Sequence, residues 1–587
     1  MKRALVLALL LAVSMMLPPP RAASAEERIV LTIGDVNDRS TRRIDGENQL
    51  GMWRYLEELL GVEIQYVHLS AEDYASGLSN GNLPDIVSTD NNLSTIRESG
   101  AALDLDPYLE EYVPNFLQGQ AGLTYNIFRQ LQGEDEGFYF FPARIGYNNV
   151  GYGTIGSSYR GYIVRWDYYK ELGYPPIHNE DDYLDVLKRM HENHPYTEEG
   201  YPTYLFGTKA LDGYETAFRS ELDLEYWAAY KYQNNIFTNE IYDGYTDPEH
   251  SMWWTSMAWL NKLYRAGKED GSFDLDLFTQ SSTQYSAKRT RGQYLGLPDI
   301  NGSLYTEKRK TDADTLSGYC FVPTDGVNLY TNVYQLLGNG SAYMWFISAN
   351  SPHKEKALRL FNYMCDPDYL REAFLGRRGV TWDYGEDGVP RMNEYGQAQL
   401  DAFKAGSTDP ENYYTNWGSF NSFPNNWPIL RDNLTHPDGY PLDFVTLTRE
   451  YGVRTMTNNI ARDVCAQYGA ELPQDTFYQA GGMDFRNDCG EAISASISSL
   501  SSDRLHILSE AEEILEYVRV DLILAESDEE FAAIQEDTIQ RLIDLGESEV
   551  FETYRQKWDA AAAIIVPMVL QIQAENGIEP YTPEQYR

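Results

Sequence analysis

Residues 162–190 read YIVRWDYYKELGYPPIHNEDDYLDVLKRM, and the fold is read outward from them. Tyr162, Ile163 and Val164 form a β-branched and aromatic run, the composition of a strand. Arg165, Trp166 and Asp167 open a helical turn that stops at Gly173, the residue type that best tolerates a left-handed helix end. Pro175 and Pro176 forbid helix continuation. Asn179 is placed to cap a second helix, with Asp182 in the first turn, where negative charge is favoured. Tyr183, Val186, Leu187 and Met190 then recur at i, i+3, i+4 and i+7, one apolar stripe. Strand, turn, helix: this is an α/β crossover.

At 587 residues the chain exceeds what one core accommodates, so two lobes or more are expected. Residues 1–25 read as a secretory signal: Lys2 and Arg3, the apolar run Ala4 to Leu17, and Ala23-Ser24-Ala25 as a cleavage site. No cysteine lies near that site, so no lipid-attachment box is read. Cys320, Cys365, Cys465 and Cys489 lack metal-binding spacing and allow three full pairings, among which the sequence does not choose. The formal charge is −42, and losing Lys2, Arg3 and Arg21 with the signal takes it to −45. So acidic a surface repels phosphate backbones and anionic headgroups, which sets nucleic acid aside. The run Ala560 to Leu570 is too short to span a bilayer, contains Pro567, and reads as a buried helix. Forty-six tyrosines and eleven tryptophans suggest surfaces for flat, amphipathic ligands.

Upstream, Ile29 to Ile33 is an apolar strand ending in the loop Gly34-Asp35-Val36-Asn37. A helix follows with Met52, Trp53, Leu56, Leu59 and Leu60 on one face and Gly61 as its stop. Val62 to Tyr66 alternates as a half-buried strand does. A short helix leads to a third strand after GNLPDIV (81–87), so the order predicts a parallel α/β sheet. Trp253 and Trp254 are adjacent on a helix, so one of them is expected to be exposed. At the far end, Leu505 to Leu522 marks one helix, and Phe531 to Leu545 before Gly546 marks another.

Several of these stretches, in order, resemble one family. The crossover at 162–190, GNLPDIV, GAALDLDPYLEEYVPNF (100–116), GSAYMWFISANSPHKEKALRLFNYMCDPD (340–368), and GRRGVTW (376–382) with Asp387-Gly388 are similar to segments of extracellular solute-binding protein family 1. These are the maltose-binding-protein-like sugar-binding proteins of ABC transporters. The resemblance implies an α/β, two-lobed, type II periplasmic-binding-protein-like fold with a hinge between lobes and extra C-terminal helices. It implies an N-terminal lobe from 26–155 and 335–400, and a C-terminal lobe from 156–334 and 401–587. It further implies an exported monomer that captures a carbohydrate and meets the membrane subunits of an ABC permease, with no catalytic residue and no cofactor. Some relatives carry a calcium loop after the crossover helix. Here HENHPYTEEGYP (191–202) lacks the alternating Asp/Asn ligands such a loop needs, so no metal is expected.

In open α/β sheets ligands lie beyond the carboxyl ends of the strands. That rule nominates Asp35 and Asn37 after the first strand and Asp90 and Asn91 after the third, although Asp and Asn also favour turns. Tyr159 and Arg160 sit where the first crossing strand is expected. Trp227 and Trp254 are aromatic candidates in the second lobe, Trp53 is added from the first helix, and Trp345 and Trp382 from the family-like segments. Trp417, Phe420, Phe423 and Trp427 crowd a Pro/Asn-rich loop, an expense that points to one ligand-facing tryptophan, Trp417 or Trp427. The competing readings are a secreted glycosidase using two carboxylates and a sugar-sensing module on the same fold. No H-E-x-x-H, and no G-x-S-x-G in a strand–turn–helix context, supports an enzyme.

Overall fold

The computed structural model describes residues 29–36, 50–89, 93–132, 137–142, 145, 158–208, 222, 224–225, 231–235, 238–301, 303–325, 329–332, 344–418, 429–430, 434–480, 483–486, 489–497 and 500–575. Its first part runs β1 (Ile29–Asp35), α1 (Gly51–Leu60), β2 (Val62–His68), α2 (Ala71–Asn80), β3 (Ile86–Thr89) and, after intervening helices, β4 (Phe141–Pro142). β1 pairs in parallel with β2 from Ile29–Val62 to Asp35–His68, and with β3 from Ile33–Ile86 to Asp35–Ser88. Leu31, Ile33, Ile86 and Val87 are buried, while Glu63 and Gln65 of β2 point to solvent between buried Val62 and Ile64. α1 buries Met52, Trp53, Leu56 and Leu60 and stops at Gly61, whose φ of 65° is the left-handed value that glycine adopts without strain.

The crossover stretch forms β5 (Ser158–Arg165), α3 (Trp166–Glu171) and α4 (Glu180–Asn193). Asn179 Oδ1 accepts from the Asp182 N–H at 3.0 Å, and Tyr183, Val186, Leu187 and Met190 are buried. Then come β6 (Tyr204–Phe206), β7 (Leu224–Glu225), β8 (Tyr232–Asn235), β9 (Ile241–Asp243), α5 (Met252–Gly267), β10 (Tyr294–Asn301), β11 (Leu304–Tyr305), β12 (Gly318–Phe321) and β13 (Leu329–Asn332). A second sheet results in the order β11-β12-β5-β10-β6, with β5 antiparallel to β10 and β12 and β6 parallel to β10; β7-β8-β9 form a small antiparallel sheet. Arg165, at the end of β5, is buried and locks this sheet. Its Nε bonds Asp167 at 2.8 Å, Nη1 the carbonyl of Gly292 at 2.5 Å, and Nη2 Ser317 Oγ at 2.8 Å. Burial alone would lower its pKa; the Asp167 carboxylate reverses that, and the guanidinium stays charged.

The chain then returns to the first sheet as β14 (Met344–Ile347), followed by α6 (Lys354–Met364), α7 (Pro367–Leu375) and α8 (Tyr413–Trp417). β14 lies antiparallel between β3 and β4, completing the order β2-β1-β3-β14-β4. α6 buries Ala357, Leu358, Leu360, Phe361 and Met364 beneath it, and Phe361 stacks on Phe141 at 4.1 Å. Asp85 ties these passes together: its Oδ2 accepts from the Thr32 N–H and hydroxyl, each at 2.8 Å, and its Oδ1 from Ser351. A carboxylate that accepts several hydrogen bonds is stable in its buried place.

α9 (Asn459–Tyr468) goes back to the second sheet, and α10 (Ser502–Leu524), α11 (Asp528–Leu545) and α12 (Glu547–Glu575) close the chain. Two hydrophobic cores result. The first draws its buried residues from 31–145 and 344–451, the second from 162–322 and 460–569. Three sequence expectations are corrected. Residues 401–451 were assigned to the C-terminal lobe, but Tyr414, Trp417, Leu434, Leu442 and Tyr451 pack in the first core. Trp253 and Trp254 are both buried, because α5 is covered by the second sheet on one side and α10 on another. The run Ala560 to Leu570 is one-sided rather than buried: Ile565 and Val569 are inside, whereas Ile564 is 69% and Leu570 50% exposed.

Candidate ligand-binding site

In a parallel β–α–β unit the helix runs against the strands, so it begins at the edge where the first strand ends. Gly51 of α1 and Asp35 of β1 therefore share the carboxyl edge of the first sheet. Asp35 is buried there beside Ser88, and the Val36 N–H donates to the Ser88 carbonyl at 3.4 Å. β14 enters at the same edge, with Met344 opposite Thr89. In the second sheet, the start of β5 pairs with the end of β10: Ser158 with Asn301, Tyr159 with Ile300 and Arg160 with Asp299. β6 runs parallel to β10 and continues into Gly207 and Thr208. Gly207 lies flat on the Tyr294 ring, where a Cβ would fall 2.1 Å from the ring carbons, so only glycine fits.

Next to α1 the first lobe carries a shelf of aromatic rings and a guanidinium. Trp417 lies against the Gly51 backbone, its Cε3 2.8 Å from where a Cβ would stand. Its indole stacks on Tyr413 (5.7 Å, 23° between planes), and Tyr55 lies 6.0 Å away. Arg377 covers the Tyr55 ring at 3.8 Å, a cation–π distance, with its Nε 3.4 Å from Glu372. The Arg377 N–H donates to the Tyr413 hydroxyl at 3.1 Å. Burial, then a hydrogen bond to Glu372, pushes the Tyr55 phenol up to about 12, so it stays a donor. Tyr395, 49% exposed, stands edge-on to Tyr413 at 6.4 Å, and Val380 is exposed beside this group. Stacking faces, phenols and a fixed cation together suit a flat ligand rich in hydroxyl groups.

The sequence candidates fare unequally. Asp35 is at the carboxyl edge of the first sheet, and the backbone of Tyr159 and Arg160 lies at the start of β5, paired with the end of β10. Asn37, Asp90, Asn91, Trp227 and Trp427, with the side chains of Tyr159 and Arg160, lie outside the described residues. Five tryptophans turn out to be framework, a correction to their nomination as stacking platforms. Trp53, Trp254, Trp345, Trp382 and Trp417 are all buried in the two cores, leaving no free ring face. Trp254, Trp382 and Trp417 donate their indole N–H to the carbonyls of Tyr245 (2.9 Å), Gly376 (2.8 Å) and Glu372 (3.1 Å). Tyr55, Tyr395, Tyr413 and Arg377 were missed. Their signal was present: Tyr55 lies off the apolar stripe of α1, Tyr413 stands i−4 to Trp417, and Arg377 lies inside GRRGVTW.

The stretch 191–202 is built for structure. His191 is buried against Thr203 Oγ1 at 3.0 Å, His194 stacks on Tyr168 at 3.8 Å, and Glu198 is held by Lys308 at 2.7 Å. Among the described residues no group of three or more His, Cys, Asp or Glu side chains is placed to hold a metal, and no helix is long and apolar enough to cross a membrane.

Two α/β sheets in separate cores, with the chain passing between the cores three times, define a type II periplasmic-binding-protein-like fold with extra C-terminal helices. The profile of the bacterial extracellular solute-binding proteins matches residues 45–370, and the chain belongs to that family. Solved structures agree on the fold. A human-milk-oligosaccharide-binding, ABC-transporter-associated solute-binding protein from Bifidobacterium longum infantis is 13% identical (TM-score 0.53; 91% of this chain, 99% of that one). The FusA substrate-binding protein of S. pneumoniae, in complex with kestose, is likewise 13% identical (TM-score 0.53; 91% and 99%). The alginate-binding protein AlgQ2, solved without calcium ion, is 14% identical (TM-score 0.52; 91% and 98%). No curated protein matches the chain significantly.

Proposed function

We propose that this protein captures an oligosaccharide between its two lobes by hinge closure and delivers it, unaltered, to the membrane permease of an ABC transporter. The observation that carries the reading is the shelf of Tyr55, Arg377, Tyr413 and Tyr395 beside the carboxyl edge that also holds Asp35. Sugars present C–H faces that stack on rings, and hydroxyl groups that each cost roughly 1–3 kcal/mol if buried unpaired, so their site must be aromatic and polar at once. The related folds of proteins that bind a human milk oligosaccharide, kestose and alginate support a saccharide cargo. On this reading the chain acts as a monomer outside the cytoplasm, after loss of residues 1–25.

The test is a thermal-shift screen of residues 26–587 against neutral and uronic-acid oligosaccharides, with product analysis of the same samples. A ligand at one hundred times its Kd stabilises the folded state by about 2.7 kcal/mol. That corresponds to a rise of roughly 5–10 °C for a lobe of this size. We expect such a rise with one glycan family and an intact glycan afterwards. Cleavage would make the protein an enzyme; a flat response to every saccharide would remove carbohydrate from the proposal.

A further inference from the structure

Where α12 begins, two carboxyl groups meet inside the second core. Glu547, the first residue of the helix, is 0% exposed, and Tyr232 of β8 donates its hydroxyl to Glu547 Oε1 at 2.9 Å. Glu547 Oε2 is sealed from solvent and has no donor among the described residues. Asp243, at the end of β9, is the cross-strand partner of Tyr232, the residue whose hydroxyl binds Glu547, and its carboxyl group is the charge that acts on Glu547. Asp243 is buried as well, and accepts from the Tyr245 N–H at 3.0 Å and from the Thr246 hydroxyl. The other groups facing the pair are committed elsewhere. The Tyr245 hydroxyl donates to Glu512 of α10 at 2.6 Å, and Lys231 pairs with the same Glu512 at 3.7 Å. Tyr554 of α12 packs its ring on Tyr232 at 5.2 Å. Two buried acceptors with no donor between them are stable together only when one holds a proton.

We propose that the Asp243–Glu547 pair shares one proton, and that this proton fastens the C-terminal helices to the β7-β8-β9 sheet at acid and neutral pH and releases them in alkali. The fastening lies at the start of α12, and the helix is held again further along, where the Trp558 indole N–H donates to the Asn239 carbonyl at 2.7 Å. Burial first, then the Asp243 charge, pushes the Glu547 carboxyl up to about 9, and burial raises Asp243 too. The sign follows. A carboxyl whose folded pKa is raised contributes stability that is complete below its unfolded value of 4.5 and is lost as pH rises through about 9. Within that window, release of the helices liberates the proton, so its equilibrium constant rises about tenfold per pH unit. A protein working outside the cell meets such changes of pH directly.

Urea unfolding of the full mature chain at intervals from pH 5 to 9 tests the device, with Glu547→Gln, Asp243→Asn and, as a control, Glu512→Gln. Glutamine at 547 still accepts from Tyr232 and offers Asp243 an N–H in place of the proton. We expect Glu547→Gln to flatten the pH dependence by one proton and to exceed the native chain in stability at pH 9. Asp243→Asn should flatten it likewise, and Glu512→Gln should leave it unchanged. If Glu547→Gln does not fold, Asp243→Asn decides alone. A variant of the pair that keeps the native pH slope, or a control that flattens as much, overturns the proposal.

Discussion

Replacing Arg165 by methionine lowers the stability of the second core by about 3–5 kcal/mol, the cost typical of breaking a buried ion pair. The guanidinium is the shared partner of Asp167, the Gly292 carbonyl and Ser317 Oγ, and it lies over the Tyr168 ring at 4.4 Å. Methionine fills part of the volume but leaves the Gly292 carbonyl and the Ser317 hydroxyl without that donor inside the sheet. Each buried orphan costs about 1–3 kcal/mol. Lysine does not rescue the site, because one ammonium group cannot fork among partners on α3, the loop before β10 and the approach to β12. Urea unfolding followed through the second-core tryptophans Trp166, Trp254 and Trp259 is the measurement. A loss below about 1 kcal/mol, or full rescue by Arg165→Lys, would show that Arg165 is not the lock of this sheet.

The parts of this fold that could be read in advance are those decided within a turn or two of chain. Asn179 capping α4, Gly61 ending α1 and the stripe from Tyr183 to Met190 depend on neighbours three or four residues away. Asp85 is different. The GNLPDIV segment marks its place, but its work of tying Thr32 to Ser351 depends on partners 53 and 266 residues distant. The same limit explains the misplacement of residues 401–451. Nothing local says which core Trp417 joins; Gly51, on the other side of the lobe's sequence, supplies the surface that receives it. Tryptophan is nominated by composition, by local crowding and by its place in family-like segments, none of which distinguishes a ring that packs from one that binds. Burial makes that distinction, and it leaves tyrosines and an arginine, whose polar tips tolerate water, as the exposed half of the shelf.

Trp417→Ala separates the shelf's support from its contacts. The indole fills the space between the Gly51 backbone, Tyr413 and Tyr55, and its N–H donates to the carbonyls of Glu372 and Ala373 at 3.1 and 3.3 Å. Truncation opens a cavity in a core position and takes the indole donor from those carbonyls, so we expect a loss of about 3–5 kcal/mol from the first core. Tyr413 and Tyr55 lose the surface that holds their rings in place, and saccharide affinity falls with them. Arg377→Ala is the contrasting variant. That side chain is 42% exposed and its pairing with Glu372 is screened by water, so its removal changes stability by less than about 1 kcal/mol. If the shelf contacts the ligand, Arg377→Ala still weakens saccharide binding about tenfold or more, the equivalent of roughly 1.4 kcal/mol. Calorimetric titration of both variants with the glycan that stabilises the native chain reads the two effects apart. Native affinity in Arg377→Ala would place the ligand away from the shelf and reduce Trp417 to a purely structural residue.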